Sequence, residues 1–191
     1  LTSKAQGEID VMTKLLAADT GDDQLQPWDW RYYDTELRKS EFGVDPRQVA
    51  AYFPLQQVLD GLLEITGEAF GLEYERLDDV PVWHPDVLTF AIADQATGER
   101  IAVTHMDLHP REGKYSHAAA FNLVVGRRMD DGSYRTPVSC IVANFTKPAA
   151  GRPSLLTHGE VVTFFHEFGH ILHQTLTRAE TARFSGTRTE R

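Results

Sequence analysis

The stretch SLLTHGEVVTFFHEFGHILHQ, residues 154–174, decides the fold around it and most of the predicted chemistry. Thr157 is followed three residues later by Glu160, a capping-box signature, so a helix is predicted from about residue 158 to 177. At about 100° per residue, its side chains separate into an apolar stripe and a polar strip. The predicted core stripe is Val161, Phe165, Phe168, Leu172 and Leu176, and the polar strip is Thr163, His166, Glu167, His170, His173 and Gln174. Because the flanks between them are apolar, the polar strip is predicted to face a cleft or a ligand.

The polar strip contains HEFGH, residues 166–170, an instance of the HExxH pattern. His166 and His170 lie one turn apart on one helix face, so both rings can bind one ion at about 2.0–2.1 Å. Two neutral imidazoles with an open coordination position suit Zn²⁺. Glu167 is placed to take a proton from a zinc-bound water, whose pKa is lowered to about 7. The motif predicts a zinc metallopeptidase, and the alternative is an ordinary surface helix with two histidines and a glutamate.

The sequence also predicts the surroundings of two further residues of this helix, Gly169 and His173. Gly169 costs about 1 kcal/mol relative to alanine in mid-helix, which predicts close approach of a neighbouring backbone. His173 is predicted to line the cleft as a partly exposed histidine, and the alternative is a role beside the metal ligands. Outside the helix, Cys140 is predicted to be a small buried residue rather than a nucleophile. The histidines without a partner at i+4 are predicted to be hydrogen-bonding or surface groups, with His117 as a possible peptide contact: His105, His109, His117 and His158.

Along the whole chain, the hydrophobic periodicity predicts an α+β fold. It divides the chain into three segments, all part of one incomplete catalytic domain. They are a helical segment at 1–70, two β-hairpins in a small antiparallel sheet at 71–150, and the active-site helix with its following loop at 151–191. Helices are predicted over 1–19, after Pro27, and from Pro54 to Gly67. The hairpins are predicted at 88–103 and 121–145, and the segment HPREGKYSH between them is predicted to be a loop.

Composition excludes several classes of protein. The 191 residues carry 19 basic and 28 acidic side chains, a net charge of −9, which argues against a nucleic-acid partner. No apolar run approaches the length of a membrane span. A single cysteine cannot form an internal disulfide, and the first residues lack a signal-peptide pattern, so a cytoplasmic setting is predicted. The absence of an initiator methionine predicts that the chain is a piece of a longer protein.

Six segments, in order from about residue 26 to 191, closely resemble the M3 family of zinc oligopeptidases, the group of thimet oligopeptidase and oligopeptidase A. They are PWDWRYY (27–33), YFPLQQVLDGL (52–62), MDLHPREGKYSHAA (106–119), VANFTKP (142–148), the stretch at 154–174, and FSGTRTER (184–191). The resemblance implies a mainly α, two-lobed, zincin-like enzyme that hydrolyses peptide bonds in short oligopeptides, as a metalloendopeptidase or a peptidyl-dipeptidase. Its implied site consists of Zn²⁺ on His166 and His170, with Glu167 as general base.

The resemblance also implies parts that lie outside the chain. The third zinc ligand would be a glutamate about four residues after Arg191, and a distal loop would supply a histidine and tyrosines that stabilise the oxyanion. The chain is therefore expected to need the rest of its polypeptide and to be nearly inactive alone. Glu190, twenty residues after His170, is the alternative third ligand, and Glu180 is less favoured. Two other outcomes stay open: a zinc- or peptide-binding module without catalysis, and a piece that holds no metal. A peptide substrate is expected to add to the edge of one hairpin, and the sequence does not say which.

Overall fold

The structure, a computed structural model, describes residues 2–188. The described residues form two compact units, which divide between Tyr52 and Phe53. The first unit is helical, with α1 at Thr2–Thr20, α2 at Trp30–Phe42 and α3 at Pro46–Ala50. Met12 and Leu16 of α1 are buried with Tyr33 of α2, whose hydroxyl donates to Asp19 at 3.2 Å. The predictions of α1 and α2 are confirmed, whereas α3, a single turn capped by Asp45, was not predicted.

The second unit contains the sheet and the metal-motif helix. Its elements are α4 at Leu55–Phe70, β1 at Leu72–Arg76, β2 at Leu88–Asp94, β3 at Arg100–Asp107, β4 at Ala119–Val124, β5 at Arg127–Arg128, β6 at Tyr134–Arg135, β7 at Val138–Val142 and α5 at His158–Thr175. A short 3₁₀ turn follows at Ala182–Phe184. The loop predicted between the hairpins is confirmed, since residues 108–118 carry neither helix nor strand.

The main sheet has five strands in the order β1-β2-β3-β7-β4. Both predicted hairpins are present, because β2 pairs with β3 and β4 pairs with β7, each pair antiparallel. The prediction of a purely antiparallel sheet is wrong, since β3 and β7 join the hairpins as a parallel pair. Strand β1, which the sequence analysis missed, pairs with β2 and forms one edge. Strand β4 pairs only with β7 among the described residues and forms the other edge.

One face of this sheet packs against α4 and α5 and forms the core. Leu62 of α4, Phe168 of α5 and Ile92 of β2 are fully buried within it. The ring of Tyr74 on β1 lies 6.2 Å from that of Phe168, so α5 also reaches toward the β1 side of the sheet. Burying these side chains contributes on the order of 1.5–3 kcal/mol each, which fixes α5 on the sheet. Within residues 2–188, no helix combines the length and apolar character needed to cross a membrane.

Candidate metal centre

The position of α5 along the chain is fixed by its N-terminal cap. The Thr157 hydroxyl accepts a hydrogen bond from the Glu160 backbone N–H at 3.2 Å, and the Glu160 carboxylate accepts one from the Thr157 N–H at 2.7 Å. This is the reciprocal capping box that the sequence predicts. The helix then runs from His158 to Thr175, two residues short of the predicted end.

The orientation of α5 differs from the prediction. Its core side is formed by Phe164, Phe168, Ile171, Leu172 and Thr175. Phe165, predicted to be in the core, is 36% exposed, and Gln174, predicted to be in the open polar strip, is 3% exposed. Hydrophobicity alone did not fix the orientation, because apolar side chains surround most of the helix.

His166 and His170 lie on the exposed side of α5, opposite the core. Their Nε2 atoms are 3.2 Å apart, and the two rings are nearly perpendicular at 4.8 Å between centroids. Two nitrogens at this separation, each about 2.05 Å from one ion, subtend an angle of about 103° at that ion, close to tetrahedral. The donors present therefore fit a shared tetrahedral cation such as Zn²⁺, although the same nitrogens can also share a proton.

Glu167 is half-buried and lies one helical turn before His170, on a flank of α5. The opposite flank carries Gly169 and Leu172, which line a hollow together with Phe70 at the end of α4. Since α4 packs toward β1 and α5 packs across β7 and β4, the Glu167 flank is the one that borders the β4 edge. Glu167 therefore lies on the flank of α5 that is nearer to β4.

The chain after α5 returns to the C-terminal end of this helix. Gly186 has a φ of +61°, and a Cβ added there would lie 2.8 Å from the Gln174 Cα. The Gln174 side chain donates to the Thr187 hydroxyl at 3.4 Å. Earlier in this segment, the single hydroxyl proton of Tyr134 on β6 is shared between the carbonyl oxygens of Thr177 at 3.1 Å and Ala179 at 3.3 Å. The β5–β6 hairpin and Gly186 thus fix the path of the segment that follows the motif helix.

The remaining candidate ligands do not join the histidine pair. No group of three or more histidine, cysteine, aspartate or glutamate side chains that could hold a metal is present within residues 2–188. Glu180 is exposed, and its carboxylate pairs with Arg128 at 3.3 Å. Glu190 lies outside the described residues, as does any ligand beyond Arg191. His173 is exposed on α5, and none of the described atoms comes within 4 Å of a Cβ added at Gly169, so its predicted close neighbour is not found among them.

The other histidines and the cysteine lie elsewhere in the unit. His105 bonds the Thr89 hydroxyl at 2.9 Å, and burial lowers its pKa. His109 Nδ1 bonds the Phe145 carbonyl oxygen at 3.1 Å, and the ring of His117 lies against that of Tyr115. Cys140 is buried, as predicted, and burial raises the pKa of its thiol to about 12. A thiol this difficult to ionise is a poor nucleophile at neutral pH.

Sequence reasoning missed a buried ionic cluster at the end of β3. The Asp107 carboxylate accepts two hydrogen bonds from Arg111, at 2.6 and 2.7 Å, one from Trp83 at 2.8 Å, and pairs with Lys114 at 2.9 Å. Burial alone would raise the pKa of Asp107, but the bonds from Arg111, Trp83 and Lys114 outweigh it and hold that pKa far below its usual range. An acid at the end of an alternating apolar strand, followed by Arg at i+4 and Lys at i+7, was the available signal.

Comparison with known proteins agrees with the resemblance noted in the sequence. The sequence model of peptidase family M3 matches residues 1–191. The chain is 39% identical to oligopeptidase A of Escherichia coli over 186 residues, which cover 96% of this chain and 27% of that protein. It is 38% identical to thimet-like oligopeptidase of Dictyostelium discoideum, with 91% of this chain and 26% of that protein covered. It is 35% identical to dipeptidyl carboxypeptidase of E. coli, with 98% and 27% covered.

These matches extend over nearly the whole chain and include the HEFGH segment on α5. The chain spans about a quarter of the length of the curated relatives it matches. On the match of the family model to every residue, the chain belongs to peptidase family M3.

Proposed function

We propose that the complete protein is a zinc-dependent metallopeptidase with a zincin-like active site, which hydrolyses peptide bonds in short oligopeptides. The observation that carries the proposal is the 3.2 Å separation of the His166 and His170 Nε2 atoms on the helix that also carries Glu167. Membership of family M3 and the peptidase names of the relatives support the same reaction. We also propose that the 191-residue chain alone is inactive, since its third ligand is expected after Arg191.

His166 and His170 would hold the ion through their Nε2 atoms, which both project from the exposed side of α5. When bound, zinc supplies Lewis acidity to the scissile carbonyl group and lowers the pKa of water to about 7. Glu167 would accept the proton of the attacking water and later deliver it to the leaving amine. Its position on the flank toward β4 supports this role, because that flank separates the histidines from the edge of the sheet.

The peptide would bind as an added strand along β4. This strand has its partner β7 on one side only among the described residues, so its other side offers unpaired backbone groups to an extended peptide. The second sheet edge, β1, lies at the far end of the strand order from β4. Of the two hairpins, the one formed by β4 and β7 is thus the favoured substrate site. We further propose a cytoplasmic setting, which the single free and buried cysteine supports.

The test is Glu167→Gln in the full-length protein, with zinc content and peptide turnover measured on the same samples. We expect zinc content to stay unchanged and turnover to fall by at least about 10²- to 10⁴-fold, the range for loss of a general base. Glu160→Gln is the matched control, since glutamine also completes a capping box and this position lies outside the histidine pair. Full turnover in the zinc-loaded Glu167→Gln variant would exclude its role as base. A zinc-loaded wild-type protein that binds oligopeptides but leaves them intact would indicate a binding module.

A further inference from the structure

We propose that Phe121, Leu123 and Tyr115 form a specificity element that binds an apolar side chain of the peptide. The inference rests on the proposed function, because it takes β4 as the edge to which the peptide adds. It concerns the face of the sheet opposite α5, where no part of the predicted catalytic machinery lies.

Strand β4 carries two large apolar side chains on that outer face. Phe121 pairs with Cys140 of β7, and Ala120 pairs with Ile141. Ala120 packs against the core beneath α5, so Phe121 projects to the other face. The register of β4 with β7 shifts between Asn122 and Val124, and Leu123 lines the same hollow as Phe121. There they are 41% and 50% exposed. An edge strand with exposed apolar side chains is an aggregation hazard unless something covers it.

Phe121 and Leu123 line a hollow of about 380 Å³ with Trp83, Tyr115, Cys140 and Val142. The rings of Tyr115 and Phe121 meet edge to face, with 6.0 Å between centroids and 79° between planes. The three charged side chains at the hollow form one ionic cluster, because Asp107 pairs with both Arg111 and Lys114. The hollow therefore presents apolar and aromatic surface, which favours an apolar side chain over a charged one.

The loop that carries Tyr115 is held rigidly by Lys114. The Lys114 side chain is 3% exposed. Its ammonium donates to the carbonyl oxygens of Asp107 at 2.8 Å, of His109 at 2.6 Å and of Ala143 at 2.6 Å. The Asn144 side chain donates to the Tyr115 carbonyl oxygen at 3.0 Å. These bonds join the backbone of the loop to the ends of β3 and β7, and the Tyr115 ring rests edge to face on Phe121. A loop backbone held in this way before a ligand arrives reduces the entropy cost of binding.

A peptide strand on the open side of β4 would repeat the alternation of the sheet. Its side chains would point in turn toward the α5 face and toward the hollow, with about 6.6 Å between residues that share a face. Side chains directly opposite each other on one face lie about 4.5–5.5 Å apart at Cβ, so those on the outer face would reach Phe121 or Leu123. The hollow is continuous with the proposed substrate edge, and this continuity favours a peptide side chain as its occupant over the remaining polypeptide.

The test uses the full-length enzyme and a series of quenched fluorescent peptides in which one phenylalanine is moved along an alanine-based sequence. We expect kcat/KM to rise at alternate peptide positions on one side of the cleaved bond. Phe121→Ser and Leu123→Ser should each reduce the preference for the phenylalanine peptide over the alanine peptide by about 2- to 10-fold, the range of one aromatic contact. Ile65→Ser, at an exposed position on α4, is the matched control and should leave the preference unchanged.

Two results would overturn the proposal. The first is an equal loss for phenylalanine and alanine peptides in the variants, which would show that the rest of the polypeptide covers the hollow. The second is a phenylalanine scan of the wild-type enzyme without alternation, and this measurement stands even if a variant fails to fold. The same peptides are also measured for binding to Glu167→Gln by fluorescence anisotropy. An alternating preference in Kd without any cleavage by the wild-type enzyme would uphold the specificity element and refute the proposed function.

Discussion

Replacing Asp107 by asparagine should strongly destabilise the second unit. The residue is 2% exposed, and its carboxylate meets Arg111 through two hydrogen bonds, Trp83 through a third and Lys114 through an ion pair. Asparagine keeps the volume but removes the only negative charge of this cluster. The Lys114 ammonium would then remain buried beside carbonyl oxygens alone. Breaking a buried pair in this way costs about 3–5 kcal/mol, because the desolvated charge loses its counter-charge.

The assay is urea unfolding followed by the fluorescence of Trp83, in a background where Trp28 and Trp30 are replaced by phenylalanine. The matched control is Asp78→Asn, which removes an exposed ion pair with Arg76 whose side chains are 73% and 54% exposed. The control should change the free energy of unfolding by less than about 1 kcal/mol. Equal and small effects of the two substitutions would refute the conclusion that the Asp107 cluster holds the loop at the end of β3.

Further predictions concern the response of Asp107 to acid, the backbone at Gly186 and the reactivity of Cys140. The pKa of Asp107 is lower in the folded state than in the unfolded state, so the stability it contributes is complete above about pH 4–5 and is lost on acidification. Urea unfolding measured at a series of acidic pH values should therefore show a smaller stability difference between wild type and Asp107→Asn below about pH 4. Gly186→Ala should destabilise the chain by more than Gly98→Ala. Gly98 has a similar positive φ but nothing within 4 Å of an added Cβ, so the backbone strain of about 1–2 kcal/mol is common to both substitutions. Equal midpoints in urea would contradict the close approach at Gly186. Cys140 should resist iodoacetamide at pH 8 until urea unfolds the chain, because it is buried and burial raises its pKa to about 12; rapid labelling of the folded protein, followed by mass spectrometry, would contradict this.

Local signals in the sequence predicted the elements well but not their arrangement. The capping box at Thr157 and Glu160 determined where α5 begins, because both hydrogen bonds form between residues three apart. The predicted rotation of α5 about its axis was wrong at Phe165 and Gln174. Apolar side chains surround most of the helix, so the sequence pattern does not determine which of them face the core, and tertiary packing does. The parallel pairing of β3 with β7 is non-local, and alternation within each strand carries no information about it.

In the candidate site too, some features follow from local spacing and others depend on tertiary packing. The spacing of His166 and His170 follows from helix geometry, so the sequence alone predicts that the two rings can share an ion. The exposure of both rings and the position of Glu167 toward β4 depend on how α5 packs against the sheet. The spacing of Asp107, Arg111 and Lys114 indicates an ionic cluster, but its burial depends on a loop that closes over the ends of two strands. Residue type and spacing therefore predict the chemistry, and long-range packing decides which surface presents it.

X-ray absorption at the zinc K edge tests the central claim most directly, with the full-length protein compared with its His166→Ala/His170→Ala variant. We expect about one zinc per chain, with two imidazole nitrogens at about 2.0–2.1 Å, and loss of the metal in the variant. A variant that retains one zinc with the same imidazole scattering would show that the ion is bound elsewhere. That result would contradict the assignment of His166 and His170 as zinc ligands.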